Sequence, residues 1–143
     1  MELGTFGAVM AFASQVVTQS AEFYETVCDR AKGPDLKEVL KALQDGAKKD
    51  RATMEQTRRE NVTEMILEPI AGLRREDFLA TVDVSVLGSD AAIVKTALLL
   101  EERDQRFFRD SSAKLPLPEV ARLFRKAAKR REGNLAKLRA LTE

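Results

Sequence analysis

A chain of 143 residues, 44% hydrophobic and 33% charged, is long enough for one domain with one proper core and suits a helical protein with a charged surface. The formal net charge of +1 makes no global argument for nucleic acid, although residues 114–143 carry a net +6 and the first 113 a net −5. One cysteine, Cys28, excludes an intramolecular disulfide and a multi-Cys zinc or iron–sulfur site. The absence of histidine removes the commonest ligand for zinc, copper and non-haem iron and the usual general base near neutral pH.

The first predicted helix covers residues 3–31. Apolar or small residues recur at Phe6, Met10, Ala13, Val17, Ser20, Tyr24 and Val27, the alternating four-and-three spacing of a bundle seam. Cys28 continues that face as a small hydrophobe. Lys32-Gly33-Pro34 breaks the helix, with Gly suited to its end and Pro to the next start. The second helix carries Leu36, Leu40, Leu43, Ala47, Asp50, Met54 and Thr57, and its pattern extends to Met65 or beyond, stopping before Pro69. Residues 69–90 form a connection of about 20 residues, too long for a tight hairpin. Residues 75–82 have the pattern of a short helix, and Val82, Val84 and Val86 alternate with Asp83 and Ser85 as a short extended piece would. Ser89-Asp90 is a cap signal for a third helix with the seam Val94, Ala97, Glu101, Asp104, Phe108 and Ser111, widened by Leu98, Leu99 and Leu100. The fourth helix runs over residues 118–141 with Val120, Phe124, Ala127, Arg131, Asn134, Leu138 and Leu141 on one face.

The chain also repeats itself. A shift of 84 residues lays Phe23-Tyr24 on Phe107-Phe108, Pro34 on Pro118, Asp35 on Glu119 and Val39-Leu40 on Leu123-Phe124. Each copy is a helical hairpin, one over residues 3–68 and one over 91–141. Three of the four seams turn polar near their middle, at Asp50, at Glu101 and Asp104, and at Arg131 and Asn134, where unpaired polar groups would be costly.

On the Glu101-to-Phe108 stretch (EERDQRFF), the Leu117-Pro118-Glu119-Val120 turn and this hairpin organisation, the chain resembles the ferritin-like superfamily, most closely its rubrerythrin-type branch. That resemblance implies an all-α four-helix bundle of two hairpins, joined by a long crossover between helices two and three. In the family, helices one and three each carry a ligand Glu seven residues before an aromatic, and helices two and four each carry Glu-x-x-His. Laid on this sequence, those positions are Val17, Ala47 with Asp50, Glu101, and Arg131 with Asn134. A register shifted by three residues would give Asp50 and Thr53 instead. Two of six positions keep a carboxylate and no histidine survives, a poor donor set for an iron pair.

Arg131 opens two readings. On the seam, its guanidinium, always charged and donor-only, would occupy the place of the metals and pair with Glu101, and with Asp50 or Asp104. In the charged run Arg130-Arg131-Glu132, it would instead belong to a solvated surface. No nucleophile motif, Gly-rich phosphate loop or acid/base pair is present, since Glu101 and Glu102 point some 100° apart on a helix. The expectation is a non-catalytic protein with a degenerate di-iron site, no cofactor, and a structural or protein-interaction role. The alternative is an iron- or manganese-binding oxidoreductase using Asp50, Glu101 and Asp104. Val9, Phe12, Val16 and Phe23 exceed what one seam needs and point to a homodimer. The basic residues Arg122, Arg125, Lys126, Lys129, Arg130, Lys137 and Arg139 offer a face for an acidic partner, while nucleic acid is disfavoured for want of interleaved aromatics. With no basic n-region after Met1 and no apolar run of ~20 residues, a cytoplasmic location without a membrane segment is expected.

Overall fold

A computed structural model describes residues 2–61 and 69–142. It is all-helical among these residues, with four long helices, α1 (Phe6–Val27), α2 (Pro34–Glu60), α3 (Asp90–Ser112) and α4 (Pro118–Ala140). The starts follow the local chemistry. Thr5 and Ser89 cap α1 and α3 by accepting from the N–H groups of Ala8 at 3.0 Å and Ala92 at 3.1 Å. Proline opens α2 and α4, with Asp35 and Glu119 in their first turns facing the positive helix ends.

α1 is shorter than the expected 3–31 because both flanks are used otherwise. Leu3 donates its N–H to the Leu73 carbonyl at 2.8 Å, Ile70 donates to Gly4 at 3.0 Å, and Glu2 and Arg74 form an isolated antiparallel bridge. At the other end Arg30 and Ala31 turn back onto the Val27 carbonyl. α2 is described to Glu60, and the expected continuation to Met65 lies outside the described residues.

α1 packs on α2 and α3, and α4 packs on α3 and α2. Along α1 and α3 the partners run in opposite senses: Phe12 meets Phe107, Ser20 meets Asp104, and Tyr24 meets Glu101. The connection lies against α1 in chain order. Leu73 is at Leu3, Arg75 bonds Gln15, the Ala80 carbonyl accepts from Gln19 at 2.8 Å, and the Val84 carbonyl accepts from Arg30 at 2.8 Å. In place of the expected helix over 75–82 it holds a single 3-10 turn, Arg75–Phe78, because Leu79 is extended. In place of the extended piece at 82–86 it holds a second turn, Val84–Val86, closed by the Asp83 carboxylate accepting from the Ser85 N–H at 3.0 Å. Asp90 ties the two hairpins together by accepting from the N–H groups of Lys32 and Gly33, both at 2.8 Å, and these bonds hold its carboxyl below the usual range.

The core divides into two apolar clusters. One gathers Phe6, Phe12, Phe78, Phe107, Phe108 and Phe124 with Met54 and neighbouring aliphatics. The other gathers Tyr24, Leu36, Leu40, Leu43, Ile93, Leu100 and Leu138. The connection supplies Ile70, Leu73 and Phe78 to the first and Leu87 to the second. Val9, Phe12, Val16 and Phe23 are therefore buried within the chain, so the apolar surplus that pointed to a second copy is already covered. Of the three leucines expected to widen the α3 face, Leu100 is buried but Leu99 is 51% exposed.

Candidate functional site

Between the two clusters lies a layer of buried polar groups, one or more from each helix: Ser20 on α1, Asp50 on α2, Glu101, Arg103 and Asp104 on α3, and Arg131 on α4. Each occupies the step where its helix passes from one cluster to the other, as at Val17, Ser20 and Ala21 on α1. Arg131 is the hub. Its Nη1 donates to Asp50 Oδ2, and its Nε lies 3.7 Å from both Glu101 Oε2 and Asp104 Oδ2. Its guanidinium carbon sits 5.5 Å from the centre of the Phe108 ring, a cation–π distance. At 3% exposure Arg131 is inside the protein, which decides between the buried and the surface readings of the Arg130-Arg131-Glu132 run.

The carboxylates are held from several sides. Asp50 also accepts from Arg130 Nη2, whose side chain is half exposed and reaches in from the surface. Glu101 accepts from the Tyr24 hydroxyl at 2.5 Å and from Asn134 Nδ2 at 3.3 Å. Asp104 accepts from Ser20 Oγ at 2.7 Å and Arg103 Nε at 2.6 Å. Arg103 Nη1 donates onward to the Phe78 carbonyl at 3.3 Å, pinning the connection to the layer. Asp50, Glu101 and Asp104 are thus matched by Arg103, Arg131 and the inward-reaching Arg130, and this matching is what makes ionised groups tolerable at this depth.

Titration follows from position. Burial pushes the Glu101 carboxyl up to about 6, the attraction of Arg131 opposing the rise and the nearness of Asp104 adding to it. Burial also raises the Tyr24 hydroxyl well above its ordinary value, and the charge of Glu101 reinforces this. Burial alone would lower Arg131, but Glu101, Asp104 and Asp50 outweigh it and hold the guanidinium firmly charged.

Of the seven positions singled out in the sequence, Asp50, Glu101, Asp104, Arg131 and Asn134 come together in this layer. Val17 belongs to the aromatic cluster beside it, and Ala47 is buried in the other cluster. Three participants were not assigned a role from sequence. Ser20 and Tyr24 stood on the α1 seam with no visible partner, and Arg103 lies off the α3 seam, covered by a connection whose path sequence patterning does not give. Cys28 is half-buried and its thiol contacts Gln44 Oε1 at 3.2 Å; burial raises its pKa above the ordinary value.

Among the described residues no three His, Cys, Asp or Glu side chains group in a metal-holding arrangement, because Arg131 stands among the three carboxylates. No described helix is long and apolar enough to cross a membrane. The fold and this layer define an all-α, four-helix protein with a buried ion-pair network. The chain matches no protein-family model, and no curated protein or solved structure shows significant similarity to it.

Proposed function

We propose that this chain is a ferritin-like four-helix bundle in which an ion-pair network stands where that family holds two metal ions, and that its role is non-catalytic, as a structural or protein-binding component. The helix arrangement supports the topology. α1 runs opposite to α3, and Asp50 on α2 meets Arg130 and Arg131 on α4 while Thr57 and Leu117 share a cavity near the other end, so α2 runs opposite to α4. With short turns joining α1 to α2 and α3 to α4, α2 and α3 are then parallel, and the connection that follows α1 from Leu3 to Arg30 is the crossover this requires. Ser20 and Asp104 are 84 residues apart, so two equivalent positions of the repeat touch, as they would beside a two-fold axis relating the hairpins.

The observation that carries the functional reading is the buried guanidinium of Arg131 among Asp50, Glu101 and Asp104. A guanidinium donates hydrogen bonds and repels cations, so this donor set does not fit an iron or manganese pair. The same three carboxylates are what the alternative, an atypical di-iron oxidoreductase, would use, and a loaded site would have to expel Arg131. Metal analysis of protein purified from iron-supplemented cells separates the two. Substoichiometric iron and manganese is the expected result, and about two ions per chain would overturn it. The basic residues of α4 named above are exposed and remain the surface on which an acidic protein partner would dock, with binding that weakens as salt rises.

A further inference from the structure

A cavity of about 330 Å³ opens between α2 and α4 onto the ion-pair layer. Its mouth is lined by the exposed residues Arg130, Gly133 and Lys137, its wall by Leu43, Gly46 and Ala47, and Glu101 and Arg131 lie at its buried end. Glycine in a helix interior costs about 1 kcal/mol relative to alanine. Here Gly46 and Gly133 line the gap between α2 and α4, and the space beside each is open: a Cβ at either would meet no atom within 4 Å. Lys137, at the mouth, forms no ion pair among the described residues, and Arg131, which lines the buried end, engages Asp50 through Nη1 while its Nε, sealed from solvent and 3.7 Å from carboxylate oxygens of Glu101 and Asp104, has no hydrogen-bond partner.

We propose that this cavity is a binding site for a small organic monocarboxylate with a short apolar tail, its carboxylate held by Lys137 and the Arg131 guanidinium and its tail lying along Leu43, Gly46 and Ala47. The volume falls within the range of small-molecule sites. The charge selects a monoanion over a polyanion. Among the residues lining it, Arg130, Arg131 and Lys137 outnumber Asp50 and Glu101 by one, so a single negative charge on a ligand is balanced and a second is not. The proposal deepens the non-catalytic reading and rests on Arg131 remaining in the layer.

The test is calorimetric titration of the intact protein with sodium hexanoate, beside hexan-1-ol and inorganic phosphate at equal ionic strength, with iron and manganese measured on the same sample. Saturation at one hexanoate per chain is expected. Hexanol and phosphate should each bind about tenfold more weakly or not at all, and Lys137→Gln should weaken hexanoate by about tenfold. Gly46→Leu, or Gly133→Leu as an independent plug, should abolish binding while the thermal melt is kept. Failure of hexanoate to saturate a metal-free sample, equal binding of phosphate, or unchanged binding in both plugged variants would overturn the ligand site alone. A metal-loaded sample would overturn the reading of the layer beneath it.

Discussion

The aromatic cluster and the charged layer beside it solve the same packing problem with opposite physics. Around Phe107, the rings of Phe12, Phe78 and Phe108 pack edge to face at 5.2 to 5.4 Å between centres, and every contact is favourable by itself. One turn away, Asp50, Glu101, Asp104 and Arg131 are just as deeply buried, but none is tolerable without its partners. Removing a ring leaves a cavity. Removing a charge leaves its partner buried and uncompensated. By this physics the layer should add little net stability, although its pairings join residues of all four helices.

The sharpest way to break this comparison is to treat the two regions alike. Arg131→Ala should destabilise by about 3–5 kcal/mol in urea unfolding at pH 7, much as Phe107→Ala should by about 3–5 kcal/mol. The regions should then part. Arg131→Met combined with Asp50→Leu and Glu101→Leu should be neutral or stabilising by about 1–4 kcal/mol, leaving Asp104 with Arg103 and Ser20, whereas adding a second truncation beside Phe107 should only deepen the loss. A triple variant as unstable as Arg131→Ala would mean that the layer contributes stability of its own.

A smaller effect separates the regions by pH. Glu101 titrates at about 6 in the fold, above an ordinary Glu. Between those two values the native state holds the extra proton, so this group's contribution is fully present below the ordinary Glu pKa and is lost as pH rises through about 6. The shift corresponds to about 2 kcal/mol of stability lost from this group between roughly pH 4.5 and 7. Glu101→Gln should remove that slope in unfolding measured across the window, and Phe107→Ala should leave it in place. Smaller again is Tyr24→Phe, which deletes the hydroxyl donor to Glu101. A loss of about 1–2 kcal/mol is expected at pH 7, shrinking at pH 5, where Glu101 is protonated.

Legibility in the sequence followed the same division. The α2 seam from Leu36 to Thr57 is buried at all seven positions, because a 3.6-residue period constrains every turn of a packed helix. The polar breaks in three seams marked the layer, and Glu101, Asp104 and Arg131 proved to be inside it. Sequence left open whether Arg131 faced in or out, since a charged run has the same local pattern on either face. The connection was the least legible part. Its turn at Val84–Val86 is closed locally by Asp83, but its path over the helices is held by long-range contacts, among them the Arg103 and Arg106 bonds to the carbonyls of Phe78 and Asp77 and the Arg30 bond to that of Val84, and no local periodicity encodes these. The burial of Val9, Phe12 and Val16 in one cluster with Ile70, Leu73 and Phe78, and of Phe23 in the other with Leu87, is equally invisible to local pattern.

The most direct measurement is a double-mutant cycle between Arg131 and Asp50, built from Arg131→Ala, Asp50→Ala and the pair, with unfolding free energies measured in urea at pH 7. Two buried groups bonded across α2 and α4 should show a coupling of about 2–3 kcal/mol. A coupling within about 0.5 kcal/mol of zero would contradict the buried pairing on which the reading of this layer stands.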